Sequence, residues 1–217
     1  SLVHVPSYLS DEQAATLPCA AVTAWNSLVQ SRPLLPGETV LTQGTGGVAL
    51  FAVQFARQMG LKIISLTSSD KKAALLHQLG ATHTINYRQH PEWHQQVRAL
   101  TSGEGVQRVV EIGGPGTLNN SLKSTASGGE IALLGFVANG EQSVDFMTLF
   151  TSGATVRPFS VGSREDFERM NLALEQSLLQ PIIDRVYSFS ETLEAWRYFD
   201  SQQHCGKVVI TMSGGLR

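Results

Sequence analysis

Three observations predict an α/β fold built on a doubly wound parallel sheet. Short segments rich in Val, Ile and Thr alternate with segments whose apolar residues recur every three or four positions. Glycines stand where several of the helical segments stop, and a glycine cluster follows the first strand at once. Strands that alternate with helices pair in parallel through right-handed crossovers.

The elements follow in order. Ser10 and Gln13 carry the spacing of a capping box, opening an apolar helix over about 11 to 30 that Pro18 interrupts. A loop over 33–37 leads to a strand at 39–42. The next helix presents Val48, Phe51, Ala52, Phe55, Ala56 and Met59 on one face and stops at Gly60. A strand at 62–67, a helix at 70–79 closed by Gly80, a strand at 84–87 and a helix at 92–100 complete one half. Strands at 106–112, 130–136 and 155–161 alternate with helices at 116–124, 146–152 and 164–179. Past Pro181 the rhythm changes to a strand at 182–189, a helix at 190–201 and a last strand at 207–212.

Composition narrows the functional classes. A chain of 217 residues with 42% apolar residues can bury a sizeable core, and a net charge of −2 gives no hint of a nucleic-acid surface. Two cysteines, Cys19 and Cys205, make no disulfide framework, which points to a reducing compartment and a cytoplasmic location. No apolar run approaches the 18 or so residues of a membrane span. Residues 1–6 lack a signal-peptide pattern, and the missing initiating Met suggests processing or a fragment.

Gly44-Thr45-Gly46-Gly47-Val48-Ala49 fits G-x-G-x-x-A in the context that motif needs, between a strand and an amphipathic helix. Gly44 permits a tight turn, Gly46 lets backbone approach a pyrophosphate, and Ala49 lets the helix sit close to the sheet. The phosphates then face a helix N-terminus, where free N–H groups and the dipole favour negative charge. A plain strand-to-helix turn is the competing reading. The end of the second strand selects the dinucleotide. An NAD site usually places Asp or Glu there for the ribose 2′-OH. Here Thr67 and Ser68 occupy it, Asp70 comes late enough to be a helix cap, and Lys71 and Lys72 follow. Hydroxyls plus a lysine suit a 2′-phosphate, so NADP(H) is favoured over NAD(H); a solvated helix face accounts for one of the two lysines.

Several segments together resemble the medium-chain dehydrogenase/reductase superfamily, in its zinc-alcohol-dehydrogenase-like and quinone-oxidoreductase-like branches. They are 14–25, 37–41, 44–56, 79–88, 109–114, 161–164 and 206–210, in matching order along nearly the whole chain. The resemblance implies roles by position. Gly44, Gly46, Gly47 and Val48 hold the pyrophosphate; Thr67, Ser68 and Lys72 face the adenosine ribose and its phosphate; Tyr87 lies beside the 2′-phosphate. Gly113, Leu134, Gly135 and Phe136 border adenosine and nicotinamide, and Thr23 packs near the nicotinamide. Ordinary sheet core accounts equally for Leu134 and Phe136. Cys19 matches a catalytic zinc ligand of the zinc enzymes, but a site needs three protein ligands, so a small buried helix cysteine is the favoured reading and zinc is not expected in this chain. The catalytic residues stay unassigned. The six histidines read as surface residues.

The resemblance also implies domain organisation: a Rossmann dinucleotide-binding domain with its leading helix over 1–180, and a tail over 181–217 that returns to a largely absent catalytic domain. The tail strands are then expected to lack partners, so that the chain dimerises or the tail is disordered, with 130–136 and 155–161 as candidate edge strands. The expected function is the cofactor-binding part of an NADP(H)-dependent oxidoreductase, moving hydride between nicotinamide and a carbonyl, quinone or conjugated alkene, weakly active or inactive by itself. The expected partners are the dinucleotide, a small-molecule substrate in the intact enzyme and a second copy of the chain, with neither nucleic acid nor membrane. A non-catalytic NAD(P)-binding sensor or interaction module is the alternative, and an enoyl-reductase segment of a larger synthase a third.

Overall fold

The computed structural model describes residues 2–138 and 143–212. The opening helix is in three pieces: α1 (Asp11–Ala14), a π-helical turn at Leu17–Ala21, and α2 (Val22–Val29). Ser10 caps α1 and Gln13 closes the capping box. Pro18 falls inside the π-helical turn, since it can neither donate to the ladder nor tolerate the carbonyl one turn back.

The sheet then assembles in two halves. β1 (Thr39–Gln43), α3 (Gly47–Gln58), β2 (Lys62–Thr67), α4 (Asp70–Leu79) and β3 (His83–Asn86) form the first. After α5 (Trp93–Leu100) come β4 (Val106–Glu111), α6 (Leu118–Ser124), β5 (Thr125–Leu133), α7 (Phe146–Ser152) and β6 (Thr155–Pro158), then α8 (Arg164–Ser177). All pairs are parallel, in the order β3-β2-β1-β4-β5-β6. This is the Rossmann order, and it places a crevice where β1 and β4 diverge, beyond their C-terminal ends.

Burial explains the apolar runs. Val40 and Leu41 of β1 and Ile63 and Ile64 of β2 are buried because helices cover both faces of a parallel sheet. Phe51, Ala52, Phe55 and Ala56 bury one face of α3, and Trp25 meets Phe55 edge-on at 5.4 Å. Gly80 closes α4 at φ +117, the left-handed conformation that glycine adopts freely. Below the sheet, Arg108 is fully buried on β4, 3.6 Å from Glu130 of β5, which Arg157 also approaches at 3.4 Å.

The far half of the sheet departs from the sequence reading chiefly in two strand ends and one edge assignment. β5 starts at Thr125 and stops at Leu133, so Leu134, Gly135 and Phe136 form the loop above the strand. β6 stops at Pro158, before Val161. β5 lies between β4 and β6, so of the two strands suggested for extending the sheet only β6 is at an edge.

The tail also differs from expectation. β7 (Ile183–Ser188) and β8 (Lys207–Thr211) pair with each other in parallel around α9 (Thr192–Asp200), in place of the unpartnered strands foreseen. The segment before β8 is latched to the glycine turn: Gly206 N–H donates to the Thr45 carbonyl at 2.8 Å, and Gly46 and Gly206 form a parallel bridge. Among the described residues no helix is long and apolar enough to cross a membrane.

Candidate functional site

The first βα turn begins with Gly44 at φ +79, where a side chain would be strained. A Cβ at Gly44 or Gly46 would project into open space. Gly46 is the N-cap of α3, so no side chain satisfies the first N–H groups of this helix. Elsewhere the sequence does supply such caps: Ser69 for α4 and Ser163 for α8. An uncapped twelve-residue helix facing open space is a place for an anion. Lys207, from the far end of the chain, lies across the same turn: a Cβ on Gly47 would come within 2.6 Å of its Cδ and 3.3 Å of the Ala20 Cβ. Gly47 thus leaves room for a lysine stem to lie over the turn, and Val48 beside it is half-buried.

The end of β2 is arranged differently from the simple reading. Thr67 is buried, and its hydroxyl donates to the Ser69 carbonyl at 3.3 Å, so it first shapes its own turn. Ser68 is half-buried. The cap of α4 is Ser69, while Asp70 accepts a bond from Asn86 Nδ2 at 3.4 Å. Lys71 is exposed; Lys72 is half-buried and donates from Nζ to the Gln202 carbonyl at 3.2 Å. Of the two lysines, Lys71 is therefore solvated and Lys72 turned inward. Tyr87 stands next to this turn through its N–H to the Thr67 carbonyl at 3.0 Å, with its side chain 40% exposed.

The loops above β4 and β5 are fixed by a buried carboxylate. Glu111 accepts from the Gly114 N–H at 2.8 Å, Thr117 Oγ1 at 2.5 Å, Gln43 Nε2 at 2.7 Å and the Ser121 hydroxyl. Gln43 in turn accepts the Ile112 and Gly113 N–H groups on Oε1, at 3.0 and 2.9 Å. The crevice between β1 and β4 is thus braced from both strands. Gly114, at φ +78, and Gly135 press backbone against backbone: a Cβ on either would lie 2.6 Å from a carbonyl oxygen of the facing loop. Leu134 is half-buried against the core, whereas Phe136 is 86% exposed and is no core residue.

At the opposite end Thr23 is buried, its hydroxyl spent on the Cys19 carbonyl at 2.7 Å. Cys19 itself is exposed in the π-helical turn, contrary to the buried cysteine expected there. The π-helical winding moves position 19 off the face that buries Leu17, Ala20 and Ala21. Among the described residues no group of three or more His, Cys, Asp and Glu could hold a metal ion.

The structure therefore joins the glycine turn, Lys72 and the 113–116 and 134–136 loops along one rim of the sheet. It adds Lys207, Gln43 and Glu111, which sequence reasoning gave no site role. An acidic residue directly after the apolar pair Val109-Val110, at the end of a strand-like segment, is the signal for Glu111; Lys207 has none, because its place depends on how the tail docks. Nor are the histidines all idle surface residues. His77 bonds the Ala81 carbonyl at 2.9 Å, His94 bonds Asn120 at 2.7 Å, and His204 stacks on Phe199 at 4.8 Å.

A family model described as zinc-binding dehydrogenase matches residues 47–176. A zinc-type alcohol dehydrogenase-like protein of Schizosaccharomyces pombe is 42% identical over 97% of this chain, which spans 62% of that protein. A quinone oxidoreductase of Pseudomonas aeruginosa is 30% identical over 96% of the chain and 67% of its own length. Among solved structures, an NAD-dependent alcohol dehydrogenase superposes with a TM-score of 0.89 at 30% identity, covering 97% of this chain and 62% of that one. A mycobacterial protein complexed with NADPH superposes with a TM-score of 0.86 at 28% identity, covering 96% and 67%.

Proposed function

Because the chain belongs to the zinc-binding dehydrogenase family, within the medium-chain dehydrogenase/reductase superfamily, we propose that it is the dinucleotide-binding part of an NADP(H)-dependent oxidoreductase. One observation carries this reading. The uncapped N-terminus of α3 faces open space above Gly44 and Gly46, with Lys207 lying across the turn and Lys72 at the neighbouring strand end. That donor set fits a pyrophosphate at the turn and a phosphomonoester at Lys72.

In this assignment Gly44, Gly46, Gly47 and Val48 present backbone to the pyrophosphate. Ser68, Lys72 and Tyr87 surround the 2′-phosphate, and Thr67 holds their turn. Gly113, Leu134, Gly135 and Phe136 border the adenosine and nicotinamide, and Thr23 packs behind the nicotinamide end. Bound there, the cofactor supplies a hydride to, or takes one from, a carbonyl, quinone or conjugated alkene. The chain's own part is to bind and orient; Glu111 and Gln43 keep the loops from collapsing into the crevice. Residues 1–180 make the dinucleotide domain, and 181–217 the segment that returns to a substrate-binding domain. A second copy of the chain adds at the β6 edge, beside the exposed Phe146 and Phe150 of α7.

Calorimetric titration with NADPH and NADH tests the assignment. NADPH binds more tightly, and Lys72→Ala weakens NADPH by about tenfold while leaving NADH within about twofold, the loss of one charge-assisted contact. Preference for NADH would retain the fold and refute the 2′-phosphate assignment. Failure of both to bind would refute the cofactor reading for this chain.

A further inference from the structure

The five residues Gln202 to Gly206 bridge two parts of the site that the sequence keeps far apart. At one end, the Gln202 carbonyl accepts the Lys72 ammonium at 3.2 Å. At the other, Gly206 is bonded to Thr45 and bridged to Gly46, with Cys205 Sγ 3.8 Å from Thr45 Oγ1. Gln202 takes up φ +54, which turns the chain out of α9 and aims it along this path. The strap therefore runs from Lys72 in the first turn of α4 to the glycine turn at the end of β1, beside the line that the phosphates of a dinucleotide would follow.

His204 is the middle residue of that strap. Its ring lies nearly parallel to Phe199, with centroids 4.8 Å apart and planes at 18°. Its Nδ1 is buried and has no hydrogen-bond partner among the described residues. A buried ring nitrogen without a partner is costly unless something else completes it. The charged groups around it are Lys72 from α4, Lys207 from β8 and Asp184 from β7, the last engaged with the Tyr198 hydroxyl at 2.6 Å.

Resting on the dinucleotide assignment above, we propose that His204 is a specificity-determining residue of this site, taking up a proton when a dinucleotide bearing a 2′-phosphate binds. Without a ligand, burial and the two lysines hold the imidazole below the usual histidine range, so it is neutral at pH 7. A 2′-phosphate beside Lys72 adds two negative charges against a single imidazole, which reverses the balance. NADH lacks that phosphate and leaves His204 neutral. Discrimination between the two dinucleotides is then linked to pH: rising pH weakens NADPH binding by up to about tenfold per unit, the limit for one proton. The phosphate's own titration near pH 6 works in the opposite sense, so the comparison needs a variant without the imidazole.

The test is calorimetry of the chain with NADPH at pH 7 in two buffers of different ionisation enthalpy, which counts protons taken up. The parent chain takes up about half a proton or more with NADPH and close to none with NADH. His204→Gln loses the uptake and has NADPH affinity several-fold lower, while its NADH affinity, unchanged within about twofold, shows that the strap and glycine turn are still folded. Equal proton uptake in parent and variant would overturn the role of His204 and leave the cofactor site standing. Absence of binding by either dinucleotide to the parent would overturn both.

Discussion

Replacing Glu111 by glutamine changes one oxygen to an amide nitrogen, and the structure shows no orientation that accepts it. Oε1 is met by the Gly114 N–H at 2.8 Å and Thr117 Oγ1 at 2.5 Å. Oε2 is met by Gln43 Nε2 at 2.7 Å and the Ser121 hydroxyl. The two hydroxyls can rotate and accept. The Gly114 N–H cannot, and Gln43 cannot flip, because its Oε1 already takes the Ile112 and Gly113 N–H groups. Whichever way the new amide points, it sets a donor against a fixed donor inside a fully buried site. One charge-assisted bond is lost and one buried donor left unsatisfied, about 2–4 kcal/mol together. For a chain of this length that lowers the melting temperature by about 4–16 °C. Thermal unfolding followed by circular dichroism measures it, with urea unfolding to confirm an unchanged m-value. A Glu111→Gln variant melting within about 1 °C of the parent would show that the four bonds do not act together and that the network does not brace the crevice.

Two further outcomes follow from the same geometry. Gly47→Ala puts a methyl group 2.6 Å from Lys207 Cδ, which the flexible lysine stem can yield to; NADPH affinity is expected to fall about tenfold, as for loss of one charged contact, with the melting temperature within about 3 °C. Unaltered affinity in calorimetry would separate Lys207 from the site. Asp166→Asn weakens the capping box of α8. Hydrogen bonds from Ser163 hold the Asp166 carboxyl below the ordinary Asp value, so its stabilisation is present at neutral pH and is lost as the pH falls through the acid range below ~4. The variant melts a few degrees lower at pH 7, the effect of one cap, and the difference shrinks towards pH 3; a gap that persists at pH 3 would mean the carboxylate charge is not its source.

Local pattern and tertiary placement were legible to different degrees. The segments 62–67, 70–79 and 146–152 carry complete signals, periodic apolar residues between turn or cap residues, and form at those bounds. β5 is read too late at both ends because Gly128, at φ +73, and Gly129 interrupt its pattern near the start, while the apolar Leu134 and Phe136 beyond its end look like strand. Phe136 is exposed there because the chain has left the sheet for the crevice rim. The glycine turn is readable since each glycine answers a local need. Lys207 and His204 are not: they come next to that turn only through the β7-α9-β8 unit, whose docking no local pattern encodes. Cys19 is misplaced for a smaller reason, a change of helical winding at Pro18 that a regular 3.6-residue period does not anticipate.

The latch between Gly206 and the glycine turn has a consequence for synthesis. Thr45 and Cys205 are 160 residues apart in the chain, yet they touch. A nascent chain emerging N-terminus first can pair β1 with β2 and β3, and then add β4 to β6, while the strap is still inside the ribosome. The pocket floor therefore forms early and its rim last. On the proposed assignment, a dinucleotide that needs both cannot assist the early stages of folding, and its capture would be a late checkpoint, passed only by chains translated to the region of β8.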